Sequence, residues 1–596
     1  MQEAPARPRR FRWEVEGLRA VAALLVAIYH VWFGRVSGGV DVFFVIAGFM
    51  ITNTLLGHLR RHGRVDIGRY IGRLMQRLIP NAVLVLVLVS IATWLFIPVT
   101  RRDEVFGEIA ASALYYENWE LARRSVDYLD RDFTNSPVQH FWAMSIQGQF
   151  YLLWLALFVV LLKVGPAAAA RRRITIVMII LVVGSLSFSV WFTGVNQPTA
   201  YFHTGARVWE FGIGGLLALS MPWWPVLSRR WSWSLGWIGL LAIVSCGALL
   251  TVGTSFPGWI ALWPVTGAAL ILFAGHTDAR WSASALLSSG PLVRLGSVSY
   301  ALYLWHWPLL VFVLVLTGRD EVGLLLGLSI IAASIALSFA STHFVERPVR
   351  SMKVDARGAW SLPLIAALVI APVAAAGYAA SAFSSRPAAM AIDLEPDRFP
   401  AAAAAGPDAA SLTSDNTEVP VPSIASAPDD VPPVYDQGCH VSPTEDELAS
   451  CEYGDPAADR TMVLVGGSHS AQWQPALAAI AERQGWRLLS ATKSGCRPGT
   501  HLVTVEKDHI ENADIDPGEA ESCRAWNAES STWIAEEDPD LVVLTSTVGR
   551  ERTSAFPRHT RSFGRNSTCK VSTCWRSATP HAPPRTFPIV SPPTGP

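Results

Sequence analysis

The sequence predicts an all-α polytopic membrane bundle, ten spans plus an eleventh linking span, followed by a small, truncated extracytoplasmic α/β domain. Three observations predict it. Long apolar runs recur through the first 380 residues, arginines cluster at alternate connections between them, and strand-like segments alternate with helical ones after about residue 430. With 596 residues, 51% apolar content and 24 Trp, a single soluble domain is excluded. Lys+Arg and Asp+Glu balance at 48 each, so no basic excess points to a nucleic-acid partner and none is expected.

The apolar runs fall at about 15–28, 40–56, 82–98, 150–162, 174–192, 208–221, 235–250, 259–274, 298–316, 322–341 and 362–380. Some reach the roughly 20 residues a bilayer requires, and others reach it with flanking aromatics or by tilting. Arg7, Arg9, Arg10 and Arg12 precede the first run, and Arg60, Arg61, Arg64, Arg69, Arg73 and Arg77 follow the second against one acid, Asp66. Arg171–Arg173, Arg229–Arg230 and Arg347, Arg350, Lys353 and Arg357 lie at later connections. By the positive-inside rule these face the cytoplasm, which puts the N-terminus inside a plasma membrane and the C-terminal domain outside. The segment 99–139, with five arginines against eight acids, suits the outer face. The first run keeps its positive flank and lacks a small-residue cleavage site, and reads as an uncleaved helix.

Polar residues inside such runs are costly unless paired, solvated or functional. Arg19, His30, Asp41, Arg207, Glu210 and His306 are these exceptions. Arg19 and His30 are eleven residues apart, which returns to nearly the same helix face about 16 Å further along the axis. A guanidinium binds phosphate bidentately, and a histidine accepts a hydroxyl proton. Tying helices together is the plainer role for Arg19. Asp41, in Gly38-Gly-Val-Asp-Val-Phe-Phe-Val-Ile-Ala-Gly-Phe49, reads either as a helix cap or as the group that orients His30. Arg73 and Arg77, four apart, form a one-face pair suited to an anion or simply mark the inner side. Arg207 and Glu210, three apart, are placed to neutralise each other. His306 lies between two tryptophans before Pro308.

These blocks carry a resemblance. Gly17-Leu-Arg-Ala-Val-Ala with His30, the run 39–49, Arg73/Arg77/Pro80, His140-Phe-Trp with Gln149-Phe-Tyr151, Arg207-Val-Trp-Glu210, Tyr303-Leu-Trp-His-Trp-Pro308 and Phe344-Val-Glu-Arg-Pro348 resemble the integral-membrane acyltransferase 3 family. The resemblance covers 13–350. It implies transfer of an acyl group, most often acetyl, from cytoplasmic acyl-CoA to a carbohydrate hydroxyl outside. Acyl-CoA would be a co-substrate, with no permanently bound cofactor and no metal. The partners it implies are acyl-CoA, an exterior glycan or glycolipid and the lipid bilayer. His30 would lead the catalysis, with Asp41 beside it; Arg19, Arg73 and Arg77, and with them Arg207 and His306, would bind the donor. One departure stands out: where the family has a Ser-Leu-Ser-Val-Glu-Glu-Gln-Phe-Tyr stretch, this chain has Ala143-Met-Ser-Ile-Gln-Gly-Gln-Phe-Tyr151, without either acid at Gln147 and Gly148.

Further along, 359–381 reads as the linking span, 382–430 as an Ala/Pro-rich linker with no core-forming content, and 431–550 as the exterior domain. Thr461–Val465 reads as a strand, Gly466–His469 as a tight turn, Ala471–Gln484 as a helix, and Leu541–Thr545 as a second strand. Apolar strands alternating with helices point to a mostly parallel three-layer sheet. Cys439, Cys451, Cys496 and Cys523 allow three disulfide pairings, of which Cys439–Cys451 with Cys496–Cys523 is preferred. Val465-Gly-Gly-Ser-His-Ser470 resembles the first block of an SGNH-type domain, with Ser468 as nucleophile and Gly467 in place of the usual Asp. The family's late Asp-x-x-His has no counterpart after 550, so the domain is expected to be SGNH-like in fold and inactive. The 551–596 tail lacks periodicity and reads as disordered, and its codons are compatible with a one-base frameshift. A transporter and a non-catalytic glycan-binding protein are the competing readings.

Overall fold

The structure, a computed structural model, describes residues 12–62, 65–124, 136–164, 169–225, 227–249, 256–275, 279, 281–319, 321–352, 427, 430–496, 517–545 and 573–577. It divides into two compact units, Met1–Ser426 and Ala427–Pro596.

The first unit is helical. Its helices are α1 (Trp13–Trp32), α2 (Gly39–His62), α3 (Ile67–Phe96), α4 (Val99–Ala113), α5 (Glu117–Arg124), α6 (Phe141–Lys163), α7 (Ala170–Val195) and α8 (Gln197–Phe202). They continue with α9 (Thr204–Ser220), α10 (Arg229–Leu249), α11 (Leu262–Ala274), α12 (Ala283–Leu287), α13 (Gly290–Ser297), α14 (Ser299–Thr317), α15 (Leu324–Ser341) and α16 (Arg347–Ser351). Asp66 caps α3 by accepting from the Arg69 amide at 3.0 Å. The centre of the bundle is α2 crossing α9. A Cβ at Gly48 would sit 1.9 Å from the Phe211 carbonyl oxygen, and one at Gly214 would sit 2.0 Å from that of Val45. Glycine on both helices brings the two backbones into contact, which no side chain would allow.

The expectation of ten spans plus an eleventh is corrected. Among the described residues, eight helices are long and apolar enough to cross a membrane: α1, α2, α3, α6, α7, α10, α14 and the stretch from α15 to Ser351. The run at 208–221 belongs to α9, which has 17 residues and carries the buried Arg207 and Glu210. The run at 259–274 counts the turn residues before Leu262 as if they were helical; only the 13 residues of α11 are. Hydropathy registers apolar content, whereas crossing needs continuous helix. The eleventh run and the linker lie outside the described residues.

The second unit is a small α/β domain. Its strands are β1 (His440–Val441), β2 (Cys451–Gly454), β3 (Thr461–Gly466), β4 (Arg487–Lys493), β5 (Leu541–Thr545) and β6 (Thr573–Ser577). The order is β1-β4-β3-β5-β6, with β2 also pairing β4. Strands β1, β4, β3 and β5 are parallel, while β2 and β6 run antiparallel to their partners. Alternation along β3 separates the two faces. Val463 and Val465 pack with Trp526 of the helix Pro517–Glu537, whereas Met462 and Leu464 pack with Leu477 and Ala481 of the helix Gln474–Gln484. The sulfurs pair Cys439–Cys451 and Cys496–Cys523, the preferred pairing. Within the 551–596 tail, expected to be disordered, the structure describes one strand, β6, paired with β5; the other tail residues lie outside the described residues.

Candidate functional site

Two polar clusters among the described residues of the helical unit hold residues singled out in the sequence. In the first, the His30 ring at the end of α1 stacks on His306 of α14, with Nδ1 of His30 3.0 Å from Nε2 of His306. Nδ1 of His306 is 3.1 Å from the Leu302 carbonyl oxygen, which can only accept. That fixes the chain of protons. His306 donates from Nδ1 to Leu302 and receives at Nε2 the Nδ1 proton of His30, so the remaining nitrogen of His30, Nε2, holds a lone pair. Trp307 sets its ring edgewise on His30, 4.8 Å between centroids.

A third imidazole joins them. His140, at the start of α6, is 5.8 Å from His306 between ring centroids, and its Nε2 lies 3.2 Å from the Leu304 carbonyl oxygen. The Tyr303 hydroxyl donates to the His140 carbonyl oxygen at 2.7 Å. His140 is not among the candidates named from sequence, although its His-Phe-Trp block is; a histidine next to aromatics gives no sign of which distant ring it will face.

Tyr303 also lines a cavity of about 160 Å³ bounded by α1, α2, α3, α6 and α14. Its polar lining includes Arg19, Arg77, Gln147, Tyr151, Tyr300 and Tyr303. Arg19 is paired with Glu16 at 2.8 Å and is 12% exposed. Arg77 has no ion-pair partner among the described residues and does not share Arg19's carboxylate. Arg73 lies one turn of α3 away, exposed and outside the cavity lining. Gln147 hydrogen-bonds Tyr151. Gly148 is explained sterically: a Cβ there would meet Cδ1 of Tyr115 at 2.4 Å, so the tyrosine ring occupies the room an acid would need.

The second cluster is buried. Asp41 and Glu210 each contact Nη1 of Arg207 at 3.0 Å, and all three are at most 1% exposed. The guanidinium is ringed by Tyr201, Phe256 and Trp142 at 4.9, 5.1 and 5.4 Å from their centroids. Two sequence expectations are thereby corrected in position. Asp41 pairs with Arg207 and makes no hydrogen bond to His30 among the described residues, and Arg207 stands with its two carboxylates rather than in the cavity lining. His306 is also relocated, from the donor side to His30. The neutralisation of Arg207 by Glu210 is found as expected.

In the α/β unit Ser468 follows β3 directly and opens a short helix at the C-terminal edge of the parallel strands, partly exposed. Gly467 is where a side chain has no room: its Cβ would lie 2.7 Å from the Cys496 carbonyl oxygen. Nearby Lys493 is buried, donating to the carbonyl oxygens of Ser442 and Pro443 and to the Ser522 hydroxyl at 2.8, 3.1 and 3.0 Å. Burial pushes its ammonium down to about 8.

Comparison with known proteins agrees with this architecture. Residues 12–343 match the family described as an acyltransferase domain, and residues 438–567 match the SGNH domain that is fused to such domains. The chain is 29% identical over 357 residues to the peptidoglycan O-acetyltransferase OatA of Listeria monocytogenes, covering 57% of this chain and 56% of that one. It is 28% identical over 352 residues to the O-acetyltransferase OatA of Staphylococcus aureus, covering 56% and 57%. With the putative peptidoglycan O-acetyltransferase YrhL of Bacillus subtilis the identity is 29% over 354 residues, covering 56% and 54%. The chain thus spans little more than half the length of these relatives. No solved structure matches. The first match falls within the helical unit and the second within the small parallel-sheet unit, and the chain belongs to the acyltransferase-domain family with an SGNH domain fused behind it.

Proposed function

We propose that the chain transfers an acyl group, acetyl by preference, from cytoplasmic acyl-CoA to a hydroxyl of an exterior polysaccharide, glycolipid or cell-wall glycan. The observation that carries the reading is the His306-held tautomer of His30, which leaves a lone pair on Nε2, in a unit whose cavity is lined by Arg19, Arg77 and the Tyr303 that packs against His306. In this reading Arg77 takes a donor phosphate, since its charge has no carboxylate partner, and Arg19, steadied by Glu16, supports it. His30 accepts the proton of the attacking hydroxyl at Nε2, and His306 keeps that nitrogen unprotonated. The hydroxyl oxygen bonds to the acyl carbon, the thioester C–S bond breaks, and the proton passes to the departing thiolate. Asp41, Arg207 and Glu210 hold α2 on α9 and take no proton from substrate. Ser468 takes no part in this transfer. The N-terminus lies in the cytoplasm and the C-terminal unit outside, as the arginine distribution supports.

Glycan mass after gene deletion tests the reading. Loss of an acyl increment from a surface glycan that is otherwise exported normally is the expected result. Loss or stranding of the whole glycan would replace the reading with a transporter, and unchanged acylation would overturn it.

A further inference from the structure

The C-terminal unit holds a second serine, beyond Ser468, with a histidine at its hydroxyl. The hydroxyl of Ser494 lies 2.8 Å from Nε2 of His440, and Nδ1 of the same ring lies 2.8 Å from Oγ1 of Thr492. The Thr492 hydroxyl hydrogen is directed to the Cys439 carbonyl oxygen at 3.4 Å, so Oγ1 accepts from Nδ1–H of His440. Nε2 is then the accepting nitrogen, and the Ser494 hydroxyl donates to it. Burial holds the His440 imidazole down at about 4, with Lys493 acting in the same direction, so the ring is neutral at ordinary pH.

The sheet register explains how these residues meet. His440 of β1 and Gly466 of β3 both lie in register with Thr492 of β4. Ser494 is two residues beyond Thr492, and Ser468 is two beyond Gly466. Both serines therefore stand at the C-terminal edge of adjoining parallel strands, where open α/β sheets bind ligands. The Gly467 position, which abuts the Cys496 carbonyl, brings the two turns together. A plain structural role for the hydrogen bonds, fastening the two-residue β1, is already served by backbone pairs. Thr492 N donates to Cys439 O at 3.0 Å and Ser494 N to Val441 O at 2.9 Å.

We propose that Ser494 is an acyl-accepting nucleophile, with His440 as its base and Thr492 as the group that fixes the His440 tautomer. The inference does not depend on the function proposed for the helical unit. Ser494 is 4% exposed, so the site takes a small acyl group, of acetyl size, carried on an ester or thioester. In the step, the Ser494 hydroxyl proton passes to Nε2 of His440 while Oγ bonds to the acyl carbon. The ester C–O bond breaks, and the proton passes from His440 to the departing oxygen. Water or a glycan hydroxyl then reverses the sequence and releases the acyl group.

The test incubates the full chain in detergent with p-nitrophenyl acetate and maps acetylated serines by mass spectrometry. Acetyl on Ser494 is expected, with p-nitrophenyl octanoate leaving none. H440Q should slow acetylation at least about a hundredfold, S494A should abolish it there, and S468A should leave it unchanged. Acetyl on Ser468 instead, on neither serine, or on Ser494 at an undiminished rate in H440Q would each overturn the assignment. If S494A or H440Q fails to form both disulfides, the mapped site in the unaltered chain decides by itself.

Discussion

The surroundings of Arg207 and those of Arg77 in the helical unit are built to opposite ends. Around Arg207 one guanidinium is shared by two buried carboxylates, under a collar of three aromatic rings. Arg77, in the cavity lining, has no carboxylate partner among the described residues, and the histidine chain that packs on the cavity's Tyr303 ends in an unused lone pair. Charge inside a membrane protein is thus no guide to chemistry until its partners are counted. A completed cluster fastens helices; an incomplete one waits for a ligand.

Substitutions can break this comparison. The largest effect is expected at His30: H30A should lower acyl transfer at least about a thousandfold while the protein still inserts, because general-base catalysis is lost with one half-buried ring. Glycan acylation in cells with matched expression is the measurement, and normal acylation would refute the role of His30. Arg207→Ala should act on the fold instead, costing about 3–5 kcal/mol by stranding two buried carboxylates. It would be read as a lower melting temperature and weaker expression, and an R207A protein of full stability with altered donor affinity would reverse the assignment of the two clusters. Arg77→Ala should leave stability unchanged and raise the apparent KM for acyl-CoA about tenfold or more, the worth of a charge-assisted hydrogen bond. Arg19→Lys keeps the ion pair with Glu16 and loses the planar fork, so donor affinity should fall by a smaller factor with little change in maximal rate. A mainly reduced rate would move Arg19 nearer the acyl group.

The smallest expected effect lies in the other unit. The His440 imidazole has a folded pKa of about 4 against an ordinary 6.5, so between these values the unfolded chain binds more protons than the folded one. Stability of the β1–β4 edge should therefore be complete above about 6.5 and decline as pH falls toward 4. Hydrogen exchange at the amides of 440–441 and 490–494 measures this, and H440Q should flatten the profile.

What could be read from the sequence follows the range of the interactions. His30 and Arg19 on one helix, the strand-turn-helix around Ser468 and the cysteine pairing are local or strongly patterned, and the structure places them as expected. His30 with His306, or Asp41 with Arg207, are contacts across 276 and 166 positions, and no periodicity on one helix names the partner on another. Asp41 looked like a partner for His30 because the two are close in the chain, but α2 turns that carboxylate toward α9. The span count failed for a related reason. A window of apolar residues cannot tell helix from an apolar turn, and 259–274 contains both.

The interlocked glycines of α2 and α9 settle which wall of the cavity is fixed. With carbonyls of each helix seated where the other has no side chain, and the Asp41–Arg207 contact at the end of the same crossing, sliding or rolling α2 would drive backbone into backbone. These two helices move as one beam. An opening of the cavity is therefore easier on the opposite side, at α3 and α14. There the joints are side-chain hydrogen bonds, such as Tyr300 to the Leu78 carbonyl and Asn81 to Glu346, which can be exchanged for water without a clash.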